Sequence, residues 1–326
     1  MSRLRVFVTQ PIAESALARL REVADVEVNG DASRLIAKAD LCAGVARSDI
    51  LLSLLHDHVD RDVIAANPRL RAIASMVITP DHIDVAEATR RKIPVTNIPA
   101  VVTDATADLC FGLLLAVARR IVEGDRLFRA GVYPGSQSSH LTGAGVAGKT
   151  LGIVGAGRIG QAVAKRAAGF DMRILYADPR RLPQGDERRL GLTHKPLDDV
   201  LREADFVTLH AQLTAETRHL IGARELGLMK PTAFILNTSR GPVIDEDALL
   251  DALCTKRIAG AGLDVYENEP TVSPALAAMP NVVLTPHLGS AVHELREGMA
   301  HVVVDNIIAI IEGKRPPNCI NPEVYS

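Results

Sequence analysis

The sequence predicts an α/β protein with two doubly wound parallel sheets, on three observations. Short apolar runs of strand length alternate with helix-like segments along the chain, as βα units require. Two series of such runs are separated by a long helical stretch and a Gly/Ser-rich loop, G-V-Y-P-G-S-Q-S-S-H (131–140). The second series opens on a glycine-rich turn between a strand and a helix. A length of 326 residues suits about two domains, each with its own core.

The first series contains Val6–Thr9, Val26–Val28, Ile50–Leu55, Leu70–Met76 and Val95–Asn97. The N-terminal run, within M-S-R-L-R-V-F-V-T-Q, is too short for a signal peptide and is expected to be the first strand. A long helical stretch is predicted from Thr103 to about Ala130. Its apolar run from Leu109, L-C-F-G-L-L-L-A-V-A, is about half a membrane span and is expected to be a buried helix. The second series contains Leu151–Val154, Arg173–Ala177, Phe206–His210, Ala233–Thr238, Ala259–Asp264 and Val282–Thr285, the six strands of a dinucleotide fold. A final amphipathic helix is expected from Ala291 to about Glu312, ending at Gly313.

Composition narrows the function. Apolar residues make up 47% and charged residues 23%, as in a folded globular chain. Lys+Arg 37 against Asp+Glu 39 leaves a net charge of -2, so no basic excess calls for nucleic acid or an anionic membrane. Four scattered cysteines, Cys42, Cys110, Cys254 and Cys319, form no C-x-x-C pair; buried thiols and a cytoplasmic location are expected.

G-I-V-G-A-G-R-I-G (152–160) places G-x-G-x-x-G at Gly155, Gly157 and Gly160, directly after a strand and at the opening of a helix. Gly155 permits the tight turn, Gly157 lets the backbone approach a pyrophosphate, and Gly160 lets helix pack on strand. The N–H groups of Arg158 and Ile159 would face the phosphates from the positive helix end. Asp178 ends the next strand, 18 residues beyond Gly160. A carboxylate there accepts the adenosine ribose hydroxyls and repels a 2′-phosphate, which favours NAD. Arg180 and Arg181 would soften that preference, so NADP is also admissible. The bland alternative is a glycine turn without a ligand; the strand, helix and acid together argue against it.

Three ionisable residues follow strands of this second series: Arg240 in N-T-S-R-G, Glu269 in L-D-V-Y-E-N-E-P and His287 in T-P-H-L-G-S. Separations of 29 and 18 residues exclude a single helix, but the carboxyl ends of neighbouring parallel strands open on one crevice. Hydride transfer to a ketone needs a proton donor with a pKa near working pH, which His supplies. A carboxylate on its other nitrogen holds the tautomer, and Arg clamps a substrate carboxylate with paired hydrogen bonds. Taken singly, each is more often a capping, core or solvated residue. Their convergence beside a dinucleotide turn favours catalysis.

These motifs, with V-T-D-A-T-A-D (102–108), D-F-V-T-L-H (205–210), L-M-K-P-T-A-F-I-L-N-T-S-R-G-P-V-I-D-E (228–246), G-A-G-L-D-V-Y-E-N-E-P (260–270), T-P-H-L-G-S-A (285–291) and H-E-L-R-E-G-M-A (293–300), resemble the D-isomer-specific 2-hydroxyacid dehydrogenases, nearest the glyoxylate/hydroxypyruvate reductase branch. The resemblance implies a discontinuous, flavodoxin-like substrate domain (1–101 and 288–326) and a Rossmann dinucleotide-binding domain (102–287). It implies that Arg240 binds and polarises a small 2-oxo acid, that Glu269 supports the imidazole, and that His287 is the general acid/base. Thr106, His210, Thr238, Ser239, Asp264 and Gly289 match positions lining the nicotinamide side. Leu54, Leu55 and Met76–Thr79 are expected in the substrate pocket, with Leu54, Ile78 and Thr79 touching substrate. A homodimer is implied; a metal, nucleic acid or membrane is not.

The chain departs from the family pattern at three places. Gln212 stands where L-H-x-P-L-T has proline, and there is no Trp to project from a partner subunit. In I-A-S-M-V-I-T-P-D-H-I-D (73–84), Ile78, Thr79 and His82 replace residues of V-G-x-D-N-I-D. Thr79 cannot adopt the backbone open to glycine, and Pro80 pushes it toward extended conformations, so a reshaped carboxylate cradle is expected. Its carboxylates and His82 lack further ligands at metal-site spacing. Two other readings stay open: a dinucleotide-sensing regulatory protein of the same fold, and a dehydrogenase for an unusual small anion.

Overall fold

A computed structural model describes residues 3–31 and 33–326. The chain divides into two compact units, Met1–Val101 with Val292–Ser326, and Val102–Ala291. All strand pairs in both units are parallel.

The first unit runs β1 (Arg5–Val8), α1 (Glu14–Val23), β2 (Asp25–Val28), α2 (Lys38–Ala46), β3 (Ile50–Ser53), α3 (Arg61–Ala65), β4 (Ala72–Ser75), α4 (Val85–Arg90) and β5 (Val95–Thr96). Its sheet order is β2-β1-β3-β4-β5, a doubly wound arrangement whose direction of winding reverses between β1 and β3. β3 and β4 are buried throughout, which is why they read as unbroken apolar runs. The C-terminal helix, His293–Ile311, returns to pack on α1 and β4. Beyond it, the Asn321 side chain accepts from Val95 N–H at 2.8 Å and donates to Ile93 O at 2.9 Å, tying the chain end to β5.

The second unit starts with α5 (Thr103–Ala118) and α6 (Ile121–Arg129), continues through β6 (Thr150–Val154), α7 (Arg158–Ala167), β7 (Arg173–Ala177), α8 (Gln184–Leu190), β8 (Leu192–His194), α9 (Leu197–Glu203), β9 (Phe206–Leu209), α10 (Ala223–Leu228), β10 (Phe234–Asn237), α11 (Glu246–Cys254) and β11 (Gly260–Leu263), and ends with α12 (Pro274–Ala277) and β12 (Val282–Leu284). Its seven strands lie in the order β12-β11-β10-β9-β6-β7-β8, reversing between β6 and β9. The two-residue period divides side chains between two cores. Leu151, Ile153, Phe206, Phe234 and Leu236 pack with α5 and α7 on one face. Val154, Val207, Leu209, Ile235 and Leu263 pack on the other, with α10 and α11.

The sequence expectations need three adjustments. Of the four cysteines, expected as buried thiols, only Cys110 is buried; Cys42 and Cys319 are half-buried and Cys254 is exposed. The stretch from Thr103 is not one helix: it breaks at Arg120, which is left-handed with φ 53°. The carbonyl of Ala118 turns to accept from Ala144 N–H at 2.8 Å, and a Cβ on Gly143 would lie 2.3 Å from that oxygen. Returning chain thus caps α5 where a helical bond would otherwise form. The second sheet also has a seventh strand, β8, an edge strand of three residues whose polar Thr193 and His194 hide any apolar run.

Candidate active site

Most polar residues that close the apolar runs of the second unit fall just beyond their strands. The N–H of Gly155 donates to Ala177 O at 2.9 Å, and Gly155 turns with φ 93°. A Cβ there would meet the backbone of His210 and Ala211 at 2.7 Å. A Cβ on Gly160 would sit 2.2 Å from Gly155 O, so the helix must carry glycine at this crossing. Gly157, by contrast, has open space where its Cβ would be. The turn is therefore tight on the protein side and open on the other, as a phosphate cradle must be. Arg158 and Ile159 form the first turn of α7, whose N–H groups have no partner within the helix.

Asp178 lies beside this turn, one carboxylate oxygen accepting from Ala156 N–H at 2.8 Å and the other from Arg180 N–H at 2.8 Å. Arg181 is turned away, forked onto Glu187 at 2.9 and 3.0 Å. Glu187 also accepts from the Tyr176 hydroxyl at 2.7 Å, and the two donors, Arg181 first, hold its carboxyl down to about 2. Of the two arginines expected to accommodate a 2′-phosphate, Arg181 is thus committed elsewhere.

On the other side of the reversal stands His210. Burial holds its imidazole down to about 3, so it is neutral. Its Nδ1 and the Thr238 hydroxyl are both buried with no partner among the described residues. Orphaned polar groups beside an open glycine turn suit a bound dinucleotide that would supply their hydrogen bonds. Ser239 is held by Asn237, whose Oδ1 accepts from its N–H at 3.0 Å and its hydroxyl at 2.8 Å.

The three ionisable residues follow β10, β11 and β12, which are adjacent in the sheet. His287 Nδ1 lies 2.8 Å from Glu269 Oε2, and Glu269 Oε1 accepts from Tyr266 N–H at 2.9 Å. His287 is left-handed, with φ 53°, which turns its ring out of the β12 line. Arg240 is half-buried; its Nη1 donates to Ser239 O at 2.9 Å, and its own carbonyl accepts from the Asn237 amide at 2.9 Å.

Several residues that hold this arrangement were not singled out from sequence. A Cβ on Gly241 would lie 1.8 Å from Tyr266 O, so glycine is required for Arg240 to approach the Glu269 segment. The Tyr266 hydroxyl donates to Thr285 O at 2.8 Å, joining the ends of β11 and β12. Asp264, expected to line the nicotinamide side, is fully buried and organises the His287 segment. It accepts from the Thr285 hydroxyl at 2.6 Å, Leu288 N–H at 2.7 Å and Gly289 N–H at 2.9 Å. Burial is the largest influence on its carboxyl and pushes it up, against those hydrogen bonds. Thr106 donates to Gly289 O at 3.1 Å. Gly241 and Asn237 were visible in N-T-S-R-G, but only the fold reveals what they touch.

In the first unit, Leu54, Ile78 and Thr79 are half-buried beyond β3 and β4, whereas Met76 and Val77 belong to the core. Asn97 donates to Ile78 O at 2.6 Å. His82 places Nε2 at 3.3 and 3.4 Å from the Ser53 and Ser75 hydroxyls, and burial lowers it to about 4, so this histidine is neutral and anchors the loop.

The model of the D-isomer-specific 2-hydroxyacid dehydrogenase NAD-binding domain matches residues 111–289. A glyoxylate reductase of Thermococcus litoralis is 47% identical over 99% of this chain and 98% of that protein. One from Pyrococcus horikoshii is 48% identical over 98% and 96%. The chain belongs to the D-isomer-specific 2-hydroxyacid dehydrogenase family. It is an NAD(P)-dependent oxidoreductase. Solved structures agree with the fold. A Thermus thermophilus protein has TM-score 0.88 at 43% identity, covering 97% of this chain and 100% of that one. An NADPH-dependent glyoxylate/hydroxypyruvate reductase from Sinorhizobium meliloti, in complex with NADP and malonate, has TM-score 0.82 at 33% identity, covering 98% and 97%. Among the described residues, no helix is long and apolar enough to cross a membrane.

Proposed function

We propose that this dehydrogenase reduces a small 2-oxo acid of the glyoxylate class to the D-2-hydroxy acid, with His287 as general acid. The observation that carries this is the 2.8 Å contact of His287 Nδ1 with Glu269, on the same edge of the sheet as the dinucleotide turn. Bound nicotinamide supplies the hydride. His287 delivers the proton from Nε2 to the oxygen that becomes the hydroxyl, and takes it back in the oxidative direction. Glu269 orients the ring through Nδ1 and stabilises its charged form. Arg240 binds the substrate carboxylate and polarises the adjacent carbonyl. Leu54, Ile78 and Thr79 are proposed substrate contacts.

The cofactor reading is NADH over NADPH, supported by Asp178 beside the turn and by the commitment of Arg181 to Glu187. A homodimer belongs to the same reading: α6 buries no residue and, with the chain after it, exposes Ile121, Phe128, Val132 and Tyr133. A cytoplasmic location is also part of it, supported by four free thiols. The test is NADH consumption on adding glyoxylate, hydroxypyruvate and bulkier 2-oxo acids, with His287→Ala in parallel. Turnover lost in the variant while NADH binding survives is expected; a variant keeping most of its kcat sinks the assignment. NADH that binds but is never consumed would leave a dinucleotide sensor.

A further inference from the structure

Cys110, Thr208 and His210 form a buried chain beside the glycine turn. Residues 206, 208 and 210 point to one side of β9 and its extension, because strand side chains alternate. That side faces α5, where Cys110 lies fully buried. Cys110 Sγ is 3.1 Å from Thr208 Oγ1, which is 3.0 Å from His210 Nε2. The chain ends at His210 Nδ1, buried and without a partner among the described residues.

The proton count distinguishes the two possible orders. Burial pushes the Cys110 thiol up to about 11, so it keeps its proton, and neutral His210 carries a single N–H. If His210 Nε2–H donated to Thr208, one proton would be poorly used either way: the threonine proton would turn to sulfur, a weak acceptor, and displace the thiol proton, or Thr208 Oγ1 would accept from both neighbours and its own proton would have neither of them as acceptor. In the opposite order the thiol donates to Thr208 Oγ1 and the hydroxyl donates to Nε2, a good acceptor, so both protons are used. The ring proton then sits on Nδ1.

We propose that Cys110 and Thr208 are positioning residues that fix His210 as its Nδ1–H tautomer, giving the dinucleotide site a neutral hydrogen-bond donor for an oxygen of the bound cofactor. The proposal rests on the dinucleotide-binding reading. A neutral donor at the winding reversal serves the cofactor in either oxidation state, since the nicotinamide changes charge while the ribose and phosphate oxygens do not. Without the relay, either ring nitrogen could hold the proton, and the Nε2–H form would present a lone pair to those oxygens.

Thr208→Val removes the hydroxyl at nearly constant shape; Thr208→Ser keeps it. NADH dissociation constants from fluorescence titration, and the protonated nitrogen of His210 from 1H–15N NMR of the cofactor-free protein, test the relay. Expected are an Nδ1–H ring in the parent, about tenfold weaker NADH binding in Thr208→Val with KM for NADH raised more than kcat falls, and recovery in Thr208→Ser. Cys110→Ala should weaken binding less, leaving the Thr208–His210 bond in place. An Nε2–H ring in the parent overturns the proposal. So does a Thr208→Val protein that binds NADH like the parent, or loses binding only in proportion to lost folding. A parent that fails to bind NADH would instead refute the underlying cofactor reading.

Discussion

Replacing Glu269 by Gln changes one atom and one charge, and its effect can be followed through two of the bonds Glu269 makes. Its carboxylate accepts from Tyr266 N–H on one oxygen and faces His287 Nδ1 with the other, at 2.9 and 2.8 Å. An amide has only one acceptor. If its oxygen keeps Tyr266, its NH2 faces Nδ1 and demands a lone pair there. The ring must then carry its proton on Nε2 while neutral, and the imidazolium is opposed. If the amide flips, its NH2 confronts the Tyr266 N–H, leaving a donor against a donor. The lost charge-assisted bond costs roughly 1–2 kcal/mol beyond a neutral one, and the unmet donor roughly another 1–2 kcal/mol. Together these predict a loss in kcat of about thirtyfold to a thousandfold. Steady-state NADH oxidation with saturating glyoxylate reads kcat, and fluorescence titration reads NADH affinity, which should not change. A Glu269→Gln enzyme within threefold of the parent kcat would refute the role of the carboxylate.

Asp178→Ala should narrow the NADH-over-NADPH ratio of kcat/KM by about tenfold, the loss of one charged hydrogen-bonding site; an unchanged ratio removes Asp178 from cofactor choice. Gly241→Ala should lower the melting temperature and kcat together. Its Cβ falls 1.8 Å from Tyr266 O and 2.5 Å from Glu267 N, and backbone must move to admit it. Retention of both parent values would show that this crossing does not position Arg240.

Both parallel sheets were legible in the sequence because their central strands are buried on both faces and read as short apolar runs. The dinucleotide turn was legible because its glycines answer local demands: a left-handed turn, an open approach and a helix crossing. Harder to see was the end of α5. The residues around Arg120 suit a helix, and only the returning Gly143–Ala144 segment claims the carbonyl that stops it. β8 escaped notice because an edge strand buries too little to leave a pattern.

Arg240, Glu269 and His287 were recognisable by residue type and by their places after successive apolar runs, since parallel strands send their carboxyl ends to one edge whatever the intervening helices do. The supports were not. That Asp264 orders the His287 segment, that Tyr266 holds Glu269, and that Gly241 must be bare all depend on atoms meeting across loops far apart in sequence. The order of residues along the chain determined which strands form and which chemical groups cap them, because those follow from local periodicity. Which hydrogen bonds those groups make, and so which histidine faces a carboxylate and which lies neutral beside a threonine, was decided by close packing in three dimensions, where burial sets both charge and partner.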